Sequence, residues 1–358
     1  MRLRIFTLST FLLIVLVTVV VAAEPAAKRA DIPRAADGHP DLTGNYNVAT
    51  LTPLERPEKF GNNLLLTPQE AEEIEATQRQ LNEDRQQASD GEREAPPEGG
   101  DGSPGPAGNV GGYNNFWLDR GTDVFSLDGK FRTSIITHPE NGRRPPMTET
   151  GTAKSSARRA LFPVNHGRAF WLENNSPGPY DDPEIRPLAE RCLLGFSSTA
   201  GPPMLPAGYN NLKTIVQTPD TVMILVEMVH DARIIRMNSE HAPAEIRKWL
   251  GDSIGWWEGD TLVVDTTNFA PQPALIPASE NLHVVERFTR IDDSNLLYSF
   301  TVEDPTIWTE PWSGEYLWPG SNDKLYEYAC HEANYALGNI MRGARLLEAD
   351  VLGNAGGG

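Results

Sequence analysis

Two cysteines, seven histidines and a deficit of basic charge set the first limits on this 358-residue chain. Lys and Arg number 31 against 49 Asp and Glu, and the formal charge is -18. Basic stripes are absent, so no nucleic acid is expected as a partner, because such binding rests on several cationic contacts to phosphate. With only Cys192 and Cys330 there is neither a paired-thiol metal motif nor a dense disulfide framework. The histidines form no HExxH and no His-x-His, so metal ligands are assigned to none of them. A nucleotide cofactor and a serine triad are not expected either, and the cofactor expectation is none. After the first residues, no segment is apolar enough to span a bilayer.

Those first residues are the most explicit part of the chain. "MRLR" is basic, "IFTLSTFLLIVLVTVVVA" is apolar, and Val21-Ala22-Ala23 puts small residues before Glu24. The pattern predicts a signal peptide over 1–23 and a periplasmic or secreted protein, with no membrane attachment after cleavage. An uncleaved anchor is the alternative, weakened by the polar, Pro-containing sequence that follows. Export lets Cys192 and Cys330 pair, which the chain-entropy model values at about 4 to 5 kcal/mol for so long a loop. Two separately buried thiols are the other reading.

Composition then divides the chain. Residues 24–93 read as an N-terminal arm carrying a surface helix, "TPQEAEEIEATQRQLNEDRQQ", with Thr67 and Glu70 as a capping box and Pro68 in its first turn. Residues 94–112 are a Gly/Pro-rich connector, 113–350 a β domain, and 351–358 a flexible tail. In the β domain, "KTIVQT" and "TVMILVEMV", "SIGWW" and "TLVVDTTNF", and "LHVVERFTRI" and "LLYSFTVE" form hairpins, with "ARIIRM" as a further strand. "APAEIRKWL" reads as a short helix, "KLYEYACHE" as the last strand, and "NYALGNIMRGARLLEAD" as a closing helix. The fold class expected is mainly β, an antiparallel meander closing into a lipocalin-like barrel, with a two-sheet sandwich as the alternative.

Six blocks occur in order: "ERCLLGFSSTAGPPMLPAGYNN", "QTPDTVMILVEMVHDARII", "GDSIGWWEGDTLVVDTTNF", "VERFTRID", "TVEDPTIWTEPW" and "YEYACHEANY". They resemble the signature blocks of an uncharacterised family of exported bacterial proteins. The resemblance runs from Phe116 to Glu348. It implies export and one continuous domain, and brings no catalytic residue with it.

Candidate site residues come from polar groups in apolar company. If "KLYEYACHE" is a strand, Glu327 and His331 share a face around Ala329, while Cys330 and His331 point apart and form no thiolate-imidazole pair. Glu227 shares a strand face with Met223, Leu225 and Val229, and His230 follows where that strand ends. Glu227, His230, Glu327 and His331 are therefore the candidate proton-transfer groups. Trp257, Trp308, Arg233 and Asp265 are the candidate ligand-binding groups, with ordinary packing the plainer role for the tryptophans and an Asp231–Arg233 turn brace the plainer role for Arg233. Two functions follow. The first is an exported small-molecule-binding protein whose barrel holds an apolar or aromatic ligand. The second is a cofactor-free lyase, isomerase or hydrolase. Convergence of the four proton-transfer candidates on one cavity favours the enzyme, and scatter favours the binder.

Overall fold

The computed structural model describes residues 32–86, 118–162, 168–173 and 177–355. The expected signal peptide (1–23) and the expected 94–112 connector lie outside these residues. Ten strands form one curled sheet, a half-barrel: β1 (Gly44–Asn47), β4 (Ile136–His138), β5 (Leu212–Gln217), β6 (Thr221–Val226), β7 (Ala232–Met237), β8 (Asp252–Glu258), β9 (Thr261–Thr267), β10 (His283–Arg290), β11 (Leu296–Glu303) and β12 (Trp312–Trp318). Their order is β1-β5-β6-β7-β8-β9-β10-β11-β12-β4, with β2 (Ser126–Leu127) and β3 (Lys130–Phe131) as a separate ribbon. Every pair in the sheet is antiparallel except β7 and β8, which run parallel, so the expected meander is interrupted once. At one rim the curl brings the ends together. Asn47 donates to the Pro319 carbonyl and Ser321 to the Asn45 carbonyl, joining β1 to the chain leaving β12.

The period of two in the sequence decides what lies inside. Leu296, Tyr298, Phe300 and Val302 of β11 are buried, and so are Trp312, Gly314, Tyr316 and Trp318 of β12, while the residues between them are not. Their rings pack edge to face or tilted, as between Tyr298 and Trp318 at 4.8 Å and Phe300 and Trp312 at 5.8 Å. Gly314 is required by this closeness, because a Cβ there would stand 2.7 Å from the Phe300 ring and 2.8 Å from the Ile135 carbonyl oxygen. The concave side is filled further by Met204, whose amide donates to the Tyr298 hydroxyl and whose carbonyl accepts from that of Tyr316, both at 2.8 Å.

Three helices lie outside the sheet. α1 (Pro68–Gln86) starts on the anticipated capping box, with Glu70 accepting from the Thr67 amide at 2.8 Å and Thr67 accepting from the Glu70 amide at 3.2 Å. α2 (Glu149–Leu161), which the sequence reading missed, is capped by Thr148. α3 (Tyr335–Ala355) packs Ala344 and Leu347 against Trp171.

Several expectations are corrected here. Residues 44–47 belong to the sheet, so the 24–93 arm is not separate from the β structure. Residues 351–355 continue α3 and are not part of a tail. "APAEIRKWL" forms no helix. "KLYEYACHE" is not a strand, and the last one is β12. The reason is geometric: the free edge of β12 is already used by β4 at Ser313 and Gly314 and by β1 at Gly320.

Candidate functional site

β6 ends at Val226 and β7 begins at Ala232, so residues 227–231 make a turn. Val229 (φ 61°) and His230 (φ 49°) take the left-handed conformation there, which is costly for a β-branched valine. Glu227 is buried and accepts from the Tyr326 amide at 3.2 Å. His230 is exposed, and its Nδ1 lies 3.2 Å from the Tyr328 carbonyl, to which it donates. Cys330 is bonded to Cys192. The "YEYAC" stretch is thus held on the turn by its backbone and its cysteine. Glu327 and His331 face solvent, as does Tyr326, so the expectation of an inward Glu327–His331 pair is overturned, together with the face assignment of Cys330 and His331. Of the four proton-transfer candidates only Glu227 points inward.

Beneath the turn lies a residue the sequence reading overlooked. Lys213 of β5 is fully buried and its Nζ donates to the Thr199 carbonyl at 2.7 Å. Burial pushes its pKa down to about 7, with Glu227 and Asp231 pulling the other way. Burial also pushes the Asp231 carboxyl up to about 6, against a backbone hydrogen bond from Gly195. The only signal in the sequence is alternation, which puts Lys213 on one strand face with Ile215; that this face is the inward one comes from the structure.

The remaining candidates serve the framework. Arg233 pairs with Glu286 through two bonds, 3.0 and 2.6 Å, rather than with Asp231, and both side chains are enclosed. The Tyr298 hydroxyl donates to Glu286 at 2.7 Å. Trp308 is buried against Trp312, which is core packing. Trp257 is half-buried and stacks on His39 at 4.7 Å. Asp265 lies on the outer face between His241 and His283, 3.0 and 3.1 Å away. Burial raises the Asp265 carboxyl, but the bonds from His283 and then His241 outweigh it and leave it below the usual range. His283 is raised, first by its bond to Asp265. His241 also reaches Asp252, and His283 reaches Glu303, so this chain of groups ties residues 238–251 to the sheet. Among the described residues, no three His, Cys, Asp or Glu groups are arranged to hold a metal.

Two spellings in the sequence carry less than they suggest. Gly251 to Gly255 reads G-x-S-x-G, yet Ser253 lies within β8, buried and bonded to Thr266, where the nucleophile elbow needs a strand-to-helix turn. Gly100 to Gly105 reads G-x-G-x-x-G and lies outside the described residues.

The open space near the turn is a groove between α2 and residues 272–278. It consists of two hollows of about 340 and 280 Å³ that share Arg158, Gln272, Pro273 and Ile276. Leu161, Phe162 and Ile185 line the first, and Leu188, Leu194 and Phe196 the second. Gly195 and Phe196 stand between groove and turn. The Phe196 amide lies 3.2 Å from the Met228 sulfur, and a Cβ on Gly195 would meet Thr199 Oγ1 at 2.3 Å. The 227–231 turn therefore lies behind Gly195 and Phe196 and lines neither hollow itself. A third hollow, about 390 Å³, lies by Thr52, Leu54, Arg120 and Leu205.

No family model, curated protein or solved structure matches the chain. The site is read from its own geometry.

Proposed function

We propose that this is an exported small-molecule-binding protein whose ligand, with an apolar body, lies in the groove beneath α2. The observation that carries the reading is the pair of joined hollows, walled mainly by Leu, Ile, Phe and Pro with few polar groups, which is the usual make-up of a small-molecule site. The curled sheet, closed at one rim by β1, supports a lipocalin-like barrel. Its concave side is occupied by Phe288, Tyr298, Trp318 and Met204, so the ligand is assigned to the groove rather than to the bore. The Cys192–Cys330 bond and the signal-like start support an oxidising compartment outside the cytosol. His230, Glu327 and His331 face solvent and line neither hollow, which favours binding over catalysis.

One observation favours the second reading, a cofactor-free lyase, isomerase or hydrolase. Asp231 and Lys213 are both shifted toward neutral pH behind the groove wall, and such shifts cluster at reactive sites. The test between the readings is native mass spectrometry of protein purified from the periplasm. A small molecule bound to the wild type and absent from Ala157→Trp, which fills the groove from α2, is the expected result. Retention of the molecule by Ala157→Trp sinks the groove reading.

A further inference from the structure

We infer that the ligand is an amphipathic anion, an apolar body with a carboxylate head held by Arg158. The inference rests on the groove reading above. Four ionisable side chains line the two hollows, and their partners differ. Glu190 is paired with Arg186 at 2.7 Å and Glu184 with Arg191 at 3.8 Å, so both groove acids are already answered. Lys154 donates to the carbonyls of Ala278 at 2.8 Å and Pro271 at 3.3 Å, which leaves one of its three donors, and its charge is partly offset by the carboxylates of Glu280 and Asp304. Arg158 stands where the hollows join and touches only the Phe162 ring, 5.9 Å from its centroid; among the described residues no carboxylate pairs with it.

The charge left over in the groove is therefore positive, in a chain whose formal charge is -18. Some surface arginines are taken up by acids, as Arg34 is by Asp260, Arg143 by Glu58 and Arg287 by Glu258; Arg120, Arg159 and Arg342 pair with no carboxylate among the described residues, but unlike Arg158 they line neither hollow. An apolar ligand without charge would cover the Arg158 guanidinium and leave it desolvated and unpaired. A cationic ligand would meet repulsion from Arg158 and Lys154. A carboxylate matches the planar guanidinium fork with two bonds, and apolar walls reduce the screening between them. α2 ends at Leu161, so the negative end of its dipole steadies the guanidinium and works slightly against the anion, which Arg158 must outweigh.

Calorimetric titration with decanoate, decanol and decylammonium tests the inference on wild type, Arg158→Gln and Ala157→Trp. Wild type is expected to bind decanoate at least about tenfold more tightly than decanol, and decylammonium most weakly. Arg158→Gln should weaken decanoate about 10- to 100-fold, the loss of a charge-assisted pair, and leave decanol unchanged. Ala157→Trp should remove both. Equal affinity for decanoate and decanol, or unchanged decanoate binding by Arg158→Gln, with both still lost in Ala157→Trp, overturns the anionic head and spares the groove. No binding of any probe by wild type, or full binding by Ala157→Trp, brings down the groove reading and the inference with it.

Discussion

Burial works against both Lys213 and Asp231, and their pH dependences have opposite signs. Asp231 titrates near 6 in the folded protein and near 4 unfolded, so between about pH 4 and 6 the folded state holds the extra proton and stability falls as pH rises. Lys213 titrates near 7 folded and near 10.4 unfolded, so between about pH 7 and 10 the unfolded state holds the extra proton and stability rises with pH. Each slope is at most about 1.4 kcal/mol per pH unit. Urea midpoints across this range should show the falling limb vanish in Asp231→Asn and the rising limb vanish in Lys213→Met; limbs that persist in their own variants refute the assignment. Arg233 and Glu286 make a second case. Arg233→Met strands a buried carboxylate and should cost about 3 to 5 kcal/mol, whereas Arg233→Met combined with Glu286→Leu should cost much less. Equal losses in the single and double variants would show the pair to be unimportant. At this scale the sequence revealed that Glu227 and Arg233 were polar groups in apolar company. It did not reveal their partners, because Arg233 meets Glu286 only through the register of the four strands β7 to β10. Lys213 was missed for the same reason, since alternation separates two faces without saying which is inward.

The elements show where local pattern and long-range pairing part company. "WSGEYLW" alternates as well as any strand here and is β12, whereas "KLYEYACHE", whose alternation predicts the last strand, is none. Both stretches alternate, and only the occupation of β12's edge by β4 and β1 separates them. "APAEIRKWL" has helix-forming residues, but it belongs to the connection that must travel back along the sheet so that β8 can run parallel to β7. That connection is held to the sheet by ionised groups. His283 has a raised folded pKa, so its contribution is complete below about pH 6.5, the unfolded value, and is lost as pH rises through the raised one. Protection factors of residues 239–250, which take out the base-catalysed rise of intrinsic amide exchange, should therefore fall on the alkaline side in wild type. In Asp265→Asn they should already be low at pH 6. Protection factors that do not change with pH in wild type would show that the histidines do not hold the connection.

At the scale of the whole molecule, the mainly β architecture and its curl were legible because hairpin follows hairpin, while the rim closure by β1 was not. β1 is only four residues long and lies 165 positions before its partner strand β5 begins, so no local signal marks it. The disulfide acts at the same scale. Cys192 and Cys330 are 138 positions apart, and replacing both by Ala should lower stability by about 2 to 5 kcal/mol. Thiol titration of denatured, unreduced protein should find no free sulfhydryl, and two would contradict the bond. The bond also has a topological consequence. Its ring encloses β5 through β12, including the outer connection at 238–251. A protease that cuts this connection opens that ring, and the two fragments, each with a new end at the cut, stay covalently joined only through the two sulfur atoms. Such a nicked protein should run as one band without reductant and as two with it.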